Sequence, residues 1–86
     1  MALTVVYEVG DEIKAVIGAG SENIEIQEVE ARDHLFQETY YLIVVLAVTG
    51  DKELGLFSSS STDFNQCFQQ IGYAIKTAYD ALQNNP

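Results

Sequence analysis

Eighty-six residues that are 48% hydrophobic, with one proline and one cysteine, describe a single globular domain, 1–86, and exclude a disordered chain or an intrachain disulfide framework. A chain this short buries only about 60 to 65% of its unfolded surface, so it depends on good packing or on a partner. Thirteen acids against four bases, a formal charge of −9, repel phosphate backbones and anionic lipid headgroups; this disfavours direct nucleic-acid and membrane binding and makes a basic protein the electrostatically favoured foreign partner.

The opening MALTVVYEVGDE lacks the basic stretch and long apolar run of a secretory signal, which predicts a reducing, cytoplasmic setting. Leu3 to Val9 and Glu12 to Ile17 are β-rich runs around Gly10-Asp11. They predict a hairpin of strands 2–9 and 12–18, in which a three-residue loop pairs Val9 with Ile13, Tyr7 with Ala15 and Val5 with Ile17. Gly18-Ala19-Gly20 has the first half of a dinucleotide-binding loop, but Asn23 stands where the third glycine belongs. The following segment alternates like a strand where that motif needs a helix, so the glycines are read as a turn.

Ile24 and Ile26 share a parity that Val29 breaks. A bulge at Gln27-Glu28 in a third strand, 23–31, returns Val29 to the apolar side. Arg32-Asp33-His34 is read as a turn, with Leu35 and Phe36 anchoring the connection. The next strand, 39–49, carries the chain's one long apolar run, Tyr40 to Val48. Nine residues cannot cross a bilayer, which takes about 20, so the run predicts a central strand with apolar neighbours on both faces. Thr49-Gly50-Asp51-Lys52 turns into an edge strand, 53–57. Beyond it Phe64, Cys67, Phe68, Ile71, Ile75, Ala78, Tyr79 and Leu82 recur at three and four. This predicts an amphipathic helix, 61–84, with Ser60 and Asp63 as a capping box and Gly72 admitting close approach to a strand.

No residue earns a catalytic role. His34 is the only histidine, the serines lack the glycines of a nucleophile elbow, and Cys67 lies on the apolar stripe of the helix; neither a metal nor a cofactor is implied. The fold expected is α+β: a five-strand antiparallel meander covered on one face by the C-terminal helix. Pairing Ile26 with Tyr41 and Ile24 with Ile43 sends Tyr41, Ile43, Val45 and Ala47 toward the helix. Tyr40, Leu42, Val44, Leu46 and Val48 are left on the other face as the expected interface of a homodimer. The function expected is that of a small non-enzymatic interaction module, a regulator, adaptor or inhibitor. The alternative is a small-molecule or anion-binding domain, with a pocket lined by the sheet or with Ser60, Ser61 and Thr62 as an anion site at the helix start.

Overall fold

A computed structural model of the chain describes residues 6–35 and 39–84. The elements are α1 (Val6–Ile17), a 3-10 turn (Ser21–Asn23), β1 (Glu25–Leu35), β2 (Thr39–Thr49), β3 (Lys52–Ser61) and α2 (Phe64–Asn84). The fold is α+β, with three antiparallel strands in the order β1-β2-β3. Both helices pack on one face. Val9, Ile13 and Ile17 of α1 and Cys67, Phe68, Ile71 and Ile75 of α2 share one core with Ile24 and with Ile43, Val45 and Ala47 of β2.

The sheet therefore has three strands where five were expected. The hairpin of strands 2–9 and 12–18 is not formed: residues 6–17 are helix, and 2–5 lie outside the described residues. The spacing of Val9, Ile13 and Ile17 explains the misreading. Steps of four keep residues on one face of a helix and, being even, also on one face of a strand. Ala15 and Val16 separate the two periods. A strand would bury Ala15, which is exposed, and turn away Val16, which is half-buried against the core. Lys14 falls in the last turn of α1, where a cation suits the helix dipole. Gly18 ends the helix at φ 77°, its N–H donating to the Lys14 carbonyl at 3.1 Å, an αL cap.

β1 and β2 form a hairpin longer than expected. Arg32, Asp33 and His34 are strand, not turn, paired with Leu42, Tyr41 and Tyr40, while Phe36, expected to anchor the connection, lies outside the described residues. Ile26 stands opposite Ala47, not Tyr41, and the register shifts between Ile26 and Glu28, so Val29 joins the core side. On the other flank of β2, Gly50 opens the two-residue β2–β3 loop at φ 61°, as a hairpin turn of this kind requires. A second shift leaves Leu54 as an extra residue in β3, half-buried against the core, beside Gly55 at φ 133°, a conformation few side chains tolerate. β3 then continues past the expected 57 through Ser61, and α2 starts at Phe64, not 61.

The helices meet at Gly72. It packs against α1, not against a strand as expected: a Cβ there would stand 2.6 Å from Val16 Cγ1 and 2.8 Å from Val16 Cβ. Gly10, inside α1, differs. A Cβ there would sit 3.7 Å from Val29 Cγ2, an ordinary contact. The same substitution should thus have opposite effects. Gly72→Ala should lower stability by about 1 to 3 kcal/mol through overpacking, despite its better helix propensity, with part of the loss recovered on adding Val16→Ala. Gly10→Ala should raise stability by up to about 1 kcal/mol. Urea titrations of the variants measure both; a stabilising Gly72→Ala would contradict the close helix contact.

Candidate functional site

Strand alternation sorts β2 into two rows. Tyr41, Ile43, Val45 and Ala47 belong to the helix side, the last three fully buried. Leu42, Val44 and Leu46 lie on the other face and are only half-buried, while Val48 is 9% exposed; Tyr40 holds the same parity in the ladder, opposite His34. Among the described residues no helix covers this face. Its outer rows follow from register, since paired residues share a face. On β1 they are Glu25, Glu28 and Glu30, all exposed, followed by the positions of Arg32 and His34. On β3 they are Glu53, Leu56, Ser58 and Ser60, all exposed. Leu56, at 70% exposure, extends the aliphatic stripe sideways and was missed in the sequence. Gly55 interrupts the alternation of β3 there, and the extra residue Leu54 decides its parity.

The serine run is divided by the same alternation. Ser59, on the helix side, is buried and donates its hydroxyl to Gln70 Oε1. The Ser61 hydroxyl accepts from the Asp63 N–H at 3.0 Å and donates to Gln66 Oε1 at 2.8 Å. Ser60, expected to cap the helix, lies in β3; Asp63 caps α2 instead, its carboxylate accepting the Asn65 N–H at 3.0 Å. Of the three residues read as an anion site, Ser60 and Ser61 are therefore strand residues and only Thr62 lies between strand and helix. The helix start already holds a negative charge, which opposes a bound anion.

β2 separates the strand holding His34 from the strand holding the serines, which places their backbones about 10 Å apart, and consecutive positions Asp33 and His34 belong to opposite faces. Among the described residues no group of three His, Cys, Asp or Glu side chains is arranged to hold a metal ion. Gly18 and Gly20 follow a helix and lead through the 3-10 turn into β1, the reverse of the strand-loop-helix order of a dinucleotide site. None of the described helices is long and apolar enough to cross a membrane. No protein-family model matches the chain, and neither curated proteins nor solved structures include one similar to it.

Cys67 places a thiol in the core. Fully buried, its Sγ lies 3.9 Å from the Tyr41 carbonyl. Burial pushes its thiol pKa above the ordinary value; a hydrogen bond with Ser59 acts the other way, and the Asp63 carboxylate adds to the rise. A pKa raised by folding contributes stability that is complete below the unfolded value, about 8.5, and is lost as pH climbs through the folded one. Denaturation of the wild type should show a loss of stability above that pH which Cys67→Ala lacks. Thiol reagents should label native protein no faster than it opens; rapid native labelling would contradict the burial.

Proposed function

We propose that the chain is a non-enzymatic protein–protein interaction module whose open sheet face is its working surface, and that a second copy of the same chain occupies that face. The observation that carries this reading is the row Leu42, Val44, Leu46 with Leu56 beside it: aliphatic side chains left half-buried or exposed on the central and edge strands, while both helices lie on the opposite face. Completing the burial of a Leu or Val side chain contributes up to about 1.5 to 3 kcal/mol, less here because most of the row is already half-covered. Three strands about 4.8 Å apart and about ten residues long offer a face on the order of 500 Å2. Two such faces bury about 1,000 Å2, the lower bound of specific interfaces, so the dimer is weak and concentration-dependent.

A second copy suits this face better than an unrelated basic protein because the centre of the stripe is aliphatic and uncharged; the carboxylates flank it and can remain solvated. Roles as a regulator, adaptor or inhibitor fit a module of this kind. Salt separates the two occupants. Each copy carries −9, so screening should strengthen a homodimer, whereas it would weaken a complex with a basic partner. Sedimentation equilibrium or light scattering should show the mass rising toward twice that of the chain with concentration, more so at high salt, and staying at one copy for Leu46→Lys or Leu42→Lys. A wild-type mass of one copy at all concentrations would sink the homodimer.

A further inference from the structure

β3 ends the sheet on one side with an open edge. Alternate residues of an outer strand turn their N–H and C=O groups away from the sheet, and among the described residues no strand pairs with those of β1 or β3. The two edges differ in chemistry. β1 carries exposed Glu25 and Glu28 near its start. On β3, Lys52 and the extra residue Leu54 interrupt one end, but Leu56 to Ser61 holds neither a charge nor a proline, the residues that keep an edge from pairing. Leu56, with a strand neighbour on one side only, is 70% exposed.

α2 lies more on β3 than on β2, and α1 lies on β1. Gln66 and Gln70 accept the Ser61 and Ser59 hydroxyls, so α2 runs antiparallel to β3. Gly72 faces α1 from the opposite side of the helix, which leaves the glutamine flank looking out over the open edge. Ala74, Thr77 and Ala81 continue that flank at steps of four and three, all exposed, with Ala74 near the level of Phe57. Short side chains there leave room for those of one more strand. What can occupy the edge is limited by the helix. Packed helix axes need about 8 to 10 Å between them, whereas paired strands lie about 4.8 Å apart. Pairing β3 with its own copy about a two-fold axis would set α2 against α2 on one face at the strand spacing, so a second copy does not fit. A lone extended segment does. Charge agrees, because the chain carries −9 and exposed Asp51, Glu53 and Asp63 outnumber Lys52 at the ends of the uncharged run, which suits basic flanks and opposes another acidic chain. We propose that the outer edge of β3 takes up an extended, basic-flanked peptide of another protein as a fourth strand. Its backbone pairs along Leu56–Ser59, with an apolar side chain beside Leu56 and small ones under Gln70, Ala74 and Thr77.

A random-peptide display library panned on the whole chain supplies the probes. Peptides that bind should carry Lys or Arg at their ends and lose affinity as salt rises; binders indifferent to salt would overturn the basic flanks. Binding should slow hydrogen exchange of alternate amides from Leu56 to Ser59 by about tenfold or more and leave those of Glu25 to Glu28 unchanged. A strand added at an edge uses only one of its own two alternate sets of N–H groups, so N-methylating one set of a bound peptide should abolish binding and N-methylating the other should spare it. Equal effects of the two sets would overturn the proposal, as would a library without binders or binders that protect no β3 amide. The edge and the open face are tested apart. Leu46→Lys, held to one copy, should protect the same amides, and failure to bind there would contradict a site on the edge; a wild-type chain of one copy that still binds would sink the homodimer alone.

Discussion

Everything in this structure answers to one strand that is apolar on both sides. β2 lies between its two neighbours, so its backbone groups are paired along both edges, and its side chains alternate between two apolar rows. Among the described residues only one row is matched from within the chain. On the helix side β1 and β3 contribute Ile26, Val29, Leu54 and Phe57, and α1 and α2 close over them. On the other side the described residues of the same strands contribute carboxylates and hydroxyls with Leu56 alone among them aliphatic, which gives a helix little to pack on. That contrast explains why both helices share a face, and why the second row of β2 is left over.

Seating two helices on three strands sets the remaining details. Gly72 lets α2 meet α1 so closely that a Cβ there would force Val16 to shift, and Gly10 fits beside Val29. Both edge strands shift register next to Ala47, which brings Val29 and Leu54 inward where strict alternation would have turned them out. At the far end Phe64 stacks obliquely on Tyr41 and on Phe68, with ring centroids 4.9 and 4.8 Å apart, closing the core where the strand meets the helix start.

How much of this was legible depended on which regularity each residue had to obey. The stripe of α2 was readable because Phe64 to Leu82 repeats at three and four with no even-numbered alias. α1 was not, since Val9, Ile13 and Ile17 satisfy both periods and its glycine resembles a turn; contact with α2 and β1, which local sequence does not display, decides for helix. The register of Ile26 was wrong by six residues, yet the two rows of β2 were sorted as observed, because six is even and parity is all that assigns a face. Ser58 to Ser61 resembled a loop through its composition. It is held as strand by pairing to Tyr41–Val44 and by the Gln70 and Gln66 amides that satisfy its inner hydroxyls. Leu56 escaped because one extra residue upstream decides its side.

The central claim is that the second row of β2 is a contact surface for another copy, so that the strand is covered on one side by its own helices and on the other by its twin. Methyl NMR across a dilution series tests this most directly, since each row reports separately. The account predicts that the Leu42, Val44 and Leu46 methyl signals move with concentration while those of Ile43, Val45 and Ile71 stay fixed. Signals of both rows that remain unchanged from the most dilute to the most concentrated sample would contradict it.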